Sequence, residues 1–74
     1  MRIIAQNGLY DIPYHCNCIG IKRIDERFYL VCHYVDGCIG LGDFSTEERA
    51  KEELRSIRNA YENNQTMYYV VKGE

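Results

Sequence analysis

The sequence contains no tryptophan, only one proline and no long hydrophobic run. No apolar stretch reaches the roughly 20 residues of a membrane-spanning helix, or the shorter core of a secretory signal peptide. We therefore expect a protein that stays in the cytoplasm and has no membrane partner. In that compartment its four cysteines would be reduced, so the sequence does not favour a disulfide framework.

Basic residues are also few and scattered. Nine Lys and Arg stand against eleven Asp and Glu, which gives a formal net charge of −2, and the longest basic run is Lys22-Arg23. A protein that binds nucleic acid by neutralising phosphates needs a basic stripe. The charge pattern therefore argues against a nucleic-acid partner.

The 74 residues fit a single domain, residues 1–74, and a chain of this size buries only roughly 60–65% of its unfolded surface. Such a small core is usually supplemented by disulfides, a metal or a partner subunit. The seven tyrosines cannot all be buried in it, and tyrosine is favoured on surfaces half buried against a partner. These two features predict a homo-oligomer.

Asn7-Gly8 lies between two apolar runs and is the strongest short signal for a β-hairpin, because both central positions of a type I′ turn need a positive φ. Residues 2–6 and 9–14 are the predicted strands. Pro13 has no backbone N–H, so the second strand must end there or lie at an edge.

A three-stranded meander is predicted for the next part of the chain. Asp25-Glu26 and Asp36-Gly37 are turn signals, and residues 27–35 are rich in the aromatic and branched side chains that favour strands. The flanking strands are residues 17–24 and 38–44.

Two-residue turns at both positions would fix the register of the meander. Cys18 would then face His33, His33 would face Gly40, and Cys32 would face Leu41. The predicted core face collects Ile19, Ile21, Phe28, Leu30, Cys32, Tyr34, Ile39 and Leu41. The predicted outer face collects Cys18, Gly20, Lys22, Tyr29, Val31, His33, Val35, Cys38, Gly40, Gly42 and Phe44.

Residues 45–62 carry the clearest helical pattern in the chain. Ser45 and Glu48 have the spacing of a capping box at the N-terminus. Asn63-Asn64 can end the helix in a left-handed conformation. One apolar stripe is expected to face the sheet: Ala50, Leu54, Ile57 and Tyr61.

Residues 66–71 are predicted to form the last strand. The predicted fold class is therefore α+β, with an antiparallel sheet of about five strands, built from the hairpin and the meander, and one helix (about 45–62) packed across one face.

Three motifs resemble a family of short uncharacterised proteins encoded by phages and prophages of Gram-positive bacteria. They are Arg-Ile-Ile-Ala-Gln-Asn-Gly at residues 2–8, Asp-Ile-Pro-Tyr at 11–14 and Ser-Thr-Glu-Glu-Arg-Ala at 45–50. The cysteines and histidines lie outside these motifs. The resemblance implies the cytoplasm of a bacterial host and assigns no catalytic residue. Small phage proteins often block host defence by covering a protein or by sequestering a nucleotide signal.

Glycines on the outer face indicate a candidate binding surface, because positions without a side chain let another molecule approach the backbone closely. The candidate binding residues are Tyr29, Val31, His33, Gly40 and Gly42. They would contact a partner protein or a second copy of the chain. The structural alternative is that the hairpin or the last strand packs on them.

Cys16, Cys18, His33 and Cys38 are the candidate metal ligands. Zinc needs four nitrogen or sulfur ligands in a tetrahedron, usually from two CxxC-like segments. The spacings C-x-C and C-x5-C are not of that kind, so half-buried thiols without a metal are the alternative reading.

Together these features predict a non-enzymatic binding protein that inhibits host defence by protein–protein contact. One alternative is a sponge that sequesters a nucleotide second messenger at a subunit interface. A second alternative is an interaction module stabilised by zinc.

Overall fold

The computed structural model describes residues 1–14, 18–34 and 37–71. These residues form six strands and one helix: β1 (Arg2–Ile4), β2 (Asp11–Pro13), β3 (Cys18–Ile24), β4 (Arg27–Tyr34), β5 (Gly37–Phe44), α1 (Glu47–Glu62) and β6 (Met67–Tyr69). The α+β class is confirmed. The strands belong to two three-stranded sheets, β2-β1-β6 and β3-β4-β5, rather than one sheet of about five.

The sheet β2-β1-β6, called the first sheet below, contains strands from both the beginning and the end of the sequence. β1 and β2 are antiparallel, with Ile3 opposite Ile12, as the predicted hairpin requires. β6 runs parallel to β1, with Tyr68 beside Ile3, so the expectation of a wholly antiparallel sheet is wrong. The first sheet therefore needs the last strand of the sequence as its third member.

The turn of this hairpin begins one residue earlier than Asn7-Gly8 predicts. The N–H of Gly8 donates to the carbonyl of Ala5 at 2.9 Å, which places Gln6 and Asn7 at the centre of the turn. Gly8 follows in the left-handed region with φ 76°. The shift turns Gln6 towards β5, where its N–H donates to the Leu41 carbonyl at 2.7 Å.

The predicted register is confirmed between β3 and β4 and is wrong between β4 and β5. Cys18 faces His33, as counting from the Asp25-Glu26 turn requires. However, His33 faces Cys38 rather than Gly40, and Tyr34 faces Gly37. Residues 35 and 36, which follow Tyr34, lie outside the described residues, and so does the expected place of Val35 on the outer face.

A β-bulge in β5 moves two residues from the predicted outer face to the core. Val31 pairs with Gly40, whereas Leu30 pairs with Gly42, so Leu41 is the extra residue of the bulged strand. Beyond the bulge, Gly42 and Phe44 turn inward, and Phe44 is fully buried. Their prediction as outer-face residues is wrong for this reason.

The helix is capped by Thr46 rather than Ser45. Thr46 has extended backbone angles, and its Oγ1 accepts a hydrogen bond from the Arg49 N–H at 3.1 Å, as an N-cap residue does. At the other end Asn64 has φ 63°, which confirms the left-handed ending. The buried stripe differs from the predicted one and contains Ala50, Glu53, Ile57 and Ala60.

Both sheets and the helix contribute to one core. Its buried members are Ile3, Ala5, Ile12, Leu30, Cys32, Leu41, Phe44, Ala50, Ile57 and Val70. Tyr34 and Tyr61 were expected in this core and are instead exposed. Within the described ranges, no helix has the length and apolar character needed to cross a bilayer.

Candidate binding groove

A groove of about 200 Å³ lies between the hairpin turn and the strands β4 and β5. The turn forms one wall and the sheet forms the other wall and the floor. It is lined by Gln6, Asn7, Tyr29, Gly40, Leu41, Gly42 and Asp43. We call this site the hairpin groove.

Gln6 fixes the hairpin wall of this groove. Its Oε1 accepts a hydrogen bond from the Asp43 N–H at 3.1 Å, and its Nε2 donates to the Val71 carbonyl at 2.8 Å. Together with the backbone hydrogen bond to Leu41, these contacts tie the turn to β5 and to the segment after β6. The groove is thus set by three separate parts of the chain.

Gly40 forms the open part of the floor. A Cβ added there would meet no atom within 4 Å, so the space above the backbone is empty. Gly42 behaves differently, because its added Cβ would lie 2.9 Å from Cγ1 of Val70. Gly42 therefore lines the groove with its backbone, and a side chain at this position would point into the core.

An ion pair lies on the rim. Nε of Arg27 is 2.8 Å from Oδ1 of Asp43, and both side chains are about half exposed. An exposed pair of this kind contributes little to stability. Its consequence for the site is positional, since it holds a carboxylate and a guanidinium together beside Tyr29.

Three of the five predicted binding residues line the hairpin groove: Tyr29, Gly40 and Gly42. Val31 does not line the groove; it is buried and pairs with Gly40 on the neighbouring strand. His33 lies two residues further along β4, where its Nε2 would be 3.8 Å from a Cβ at Gly20. The structure thus places His33 outside the groove.

Sequence reasoning missed Gln6, Asn7 and Asp43 as groove residues. Asn7-Gly8 located the hairpin turn, but nothing in the sequence pattern indicated that the turn would lie against β5. The one available signal was the polar, hydrogen-bonding character of Gln6 beside a turn that also holds Asn7.

Cys18, His33 and Cys38 occupy one row across β3, β4 and β5. Despite this, no group of three His, Cys, Asp or Glu among the described residues has a geometry suited to a metal ion. Cys16, the fourth candidate ligand, lies outside those residues. Nearby Cys32 is buried in the core, and burial raises the pKa of its thiol.

The helix contains a buried carboxylate that the sequence did not reveal. Glu53 of α1 is only 2% exposed. Its Oε2 accepts hydrogen bonds from the Tyr68 hydroxyl at 2.7 Å and from the Val71 N–H at 3.0 Å. Its Oε1 lies 3.4 Å from Nη1 of Arg49. Glu53 therefore joins the helix to the C-terminal segment.

Tyr68 should make the stability of the protein fall at high pH. Burial, followed by the hydrogen bond to Glu53, raises the pKa of its hydroxyl from 10.0 to about 12. Because the folded state holds this proton more tightly than the unfolded state, the stabilisation is complete below pH 10 and is lost as the pH rises towards about 12. Urea unfolding followed by circular dichroism across this range should show the loss.

The matched variant for that measurement is Tyr68→Phe, which has no phenol to titrate. Its free energy of unfolding should be lower than that of the wild type at the start of this pH range, because Glu53 loses a hydrogen-bond donor. The free energy of unfolding should then fall less steeply as the pH rises. Equal slopes for the two proteins would contradict the role given to Tyr68.

A wider depression of about 640 Å³ borders this cluster along the helix. Arg49 lines it, but Nη1 of Arg49 already lies within 4.0 Å of Oε1 of Glu52 and within 3.4 Å of Oε1 of Glu53. The guanidinium also lies over the Phe44 ring, 5.3 Å from its centre. Two carboxylates beside Arg49 make this arginine a poor phosphate ligand.

Comparisons with protein-family models, with curated proteins and with solved structures gave no match for this chain. The resemblance to phage and prophage proteins therefore rests on the motifs at residues 2–8, 11–14 and 45–50 alone.

Proposed function

We propose that this protein is a non-enzymatic binding protein and that the hairpin groove receives a side chain of a partner protein. The resemblance to phage and prophage proteins supplies the context of the proposal. In that context the partner is a defence protein in the cytoplasm of the bacterial host, and binding inhibits it. The observation that carries the proposal is the open glycine floor at Gly40.

The size of the groove favours a protein partner over a small ligand. Pockets for small molecules usually measure about 300–1,000 Å³, whereas the hairpin groove measures about 200 Å³. A space of that size accepts one side chain. Because Gly40 leaves the backbone uncovered, the rest of the partner can approach β5 directly.

The surroundings of the groove have the layout of a protein interface. Tyr29 supplies an aromatic side chain at the floor, and the exposed Leu9 lies two residues from Asn7 on the hairpin. Asn7, Asp43 and Arg27 supply polar groups at the rim. Interfaces commonly combine an apolar or aromatic centre with a polar rim.

Filling the groove should weaken binding of the partner. A leucine in place of Gly40 projects into the empty space and should weaken affinity for the partner at least about tenfold, or about 1.4 kcal/mol. The partner is first recovered from a lysate of a Gram-positive host with the wild-type chain. It is then purified, and its affinity is measured by calorimetry for each variant.

Gly20→Leu is the matched control. Gly20 lies on the neighbouring strand β3, and its added Cβ would make only ordinary contacts, at 3.8 Å or more, with His33. This variant should keep wild-type affinity, and circular dichroism should show that both variants fold. If Gly40→Leu binds as tightly as Gly20→Leu, the groove is not the contact surface.

The two alternatives are separated with the same wild-type sample. Titration of cyclic dinucleotides and NAD-derived signals by calorimetry would give heat only if the protein is a nucleotide sponge. Native mass spectrometry in the presence of zinc would add the mass of the metal only if the protein is a zinc-stabilised module.

A further inference from the structure

β6 is an edge strand whose outer side faces no other strand among the described residues. It pairs only with β1 in the order β2-β1-β6. Two of its three residues have exposed side chains, Met67 at 39% and Tyr69 at 66%. An edge of this kind can template pairing with another chain.

The hydrogen bonds to β1 show which backbone groups of this edge are open. Arg2 donates its N–H to the Thr66 carbonyl, and Val70 donates its N–H to the Ile4 carbonyl, both at 3.0 Å. Because backbone groups alternate in direction along a strand, the N–H and C=O groups of Met67 and Tyr69 point away from β1. They form two donors and two acceptors along this edge, which is open at Met67 and Tyr69 and bordered by Glu53 of α1 at the Val71 N–H.

The sequence of this edge lacks the usual protection against pairing. Residues 65–71 read Gln-Thr-Met-Tyr-Tyr-Val-Val and contain no charge, proline or glycine. Proteins commonly block exposed edges with lysine or proline. The opposite edge of the same sheet carries Pro13 and the charged Asp11 on β2. Only the β6 side is left neutral and rich in strand-forming residues.

We propose that two copies of this chain dimerise by antiparallel pairing of β6 with β6, centred on Tyr68. In this register Met67 faces Tyr69 of the second copy, and the reverse pair forms on the other side of the two-fold axis. The outward N–H and C=O groups of Met67 and Tyr69 then form four hydrogen bonds between the copies. The two first sheets become one continuous sheet of six strands.

The side chains of the paired edges are complementary. A methionine sulfur beside an aromatic ring is a favourable contact, and the register creates it twice. A two-fold axis brings identical residues close together, so a charge near the axis would meet a like charge. Residues 65–71 carry none, although the whole chain has a net charge of −2.

The area available predicts a weak dimer. Met67, Tyr69 and Val71 together leave roughly 300 Å² of side chain exposed per copy, taking typical side-chain areas. Stable interfaces bury about 800 Å² per partner. The dimer should therefore dissociate on dilution, with a dissociation constant in the micromolar range or above.

Sedimentation equilibrium over about a hundred-fold range of protein concentration tests the proposal. The wild-type chain should pass from monomer to dimer as concentration rises. Met67→Lys and Tyr69→Glu should each weaken dimerisation at least about tenfold. The double variant, with both substitutions in one chain, should recover most of the affinity, because the proposed register places the introduced ammonium group of each copy opposite the introduced carboxylate of the other.

Tyr34→Lys is the control variant, since Tyr34 is 51% exposed but lies at the end of β4, away from β6. It should dimerise like the wild type. So should Gly40→Leu, which separates this proposal from that of the hairpin groove. If the wild-type chain stays monomeric, the dimer proposal is wrong, and the edge of β6 is available to a strand of another protein. A double variant no better than the single ones overturns the register.

Discussion

Replacing Glu53 with alanine should lower the free energy of unfolding by about 3 kcal/mol, because the removed carboxylate is buried and pairs with Arg49. The Tyr68 hydroxyl and the Val71 N–H both donate to this carboxylate. Without it, each of these donors loses its acceptor. A domain of this size has only a few kcal/mol of stability, so the variant should unfold at a much lower urea concentration than the wild type.

Urea unfolding followed by circular dichroism measures this effect. Glu53→Gln keeps the shape and one acceptor oxygen, so it should be less destabilised than Glu53→Ala and remain measurable. Glu52→Ala is the control, since that side chain is 62% exposed, and it should change stability by no more than about 0.5 kcal/mol. Equal effects at the two positions would contradict the structure of this cluster.

Replacing Gly42 with alanine should lower the free energy of unfolding by about 2 kcal/mol through overpacking. Its Cβ would lie 2.9 Å from Cγ1 of Val70 and 3.0 Å from Cε2 of Phe44. Both neighbours are buried, so neither can move aside without disturbing the core. Thermal and urea unfolding give the measurement.

Gly40→Ala is the matched control for this experiment. Both glycines belong to β5, and alanine restricts the unfolded chain equally at both positions, which alone would stabilise by up to about 1 kcal/mol. Only Gly42 adds a close contact. If the two variants have equal stability, Gly42 does not face the core and the bulge at Leu41 is misplaced.

Short-range signals predicted the parts of the fold that depend on neighbouring residues. The Asp25-Glu26 turn predicted the pairing of β3 with β4, and the Asn-Gly signal predicted the hairpin of β1 and β2. The periodic pattern located α1 to within two residues at its start. In each case the determining residues lie within one turn or one hairpin of the feature.

The bulge in β5 was missed because a single extra residue creates no repeating pattern that could be recognised in the sequence. Glycine inside a strand pattern often marks a bulge, and Gly40 and Gly42 flank the extra residue, Leu41. The same glycines suggested a flat binding face. Sequence alone gave no way to choose, because the choice depends on packing of Phe44 and Val70 from distant parts of the chain.

The burial of Glu53 could not be predicted for a similar reason. A pattern of apolar and polar residues places glutamate on the surface, and the partners that allow its burial are 15 and 18 residues away in sequence. The hairpin groove depends on Gln6 reaching Asp43 and Val71. Such long-range contacts are set by the tertiary fold and are invisible to local patterns.

The parallel pairing of the first strand with the last has a consequence for how the protein is made. Until residues 66–71 leave the ribosome, β1 and β2 form only a two-stranded hairpin, which is marginally stable in water. The hydrogen bonds that Glu53 accepts likewise form only after Tyr68 and Val71 have been synthesised. The nascent chain thus cannot complete its first sheet or pair its buried carboxylate before residues 66–71 have been synthesised. Loss of this segment would therefore affect both β1 and α1.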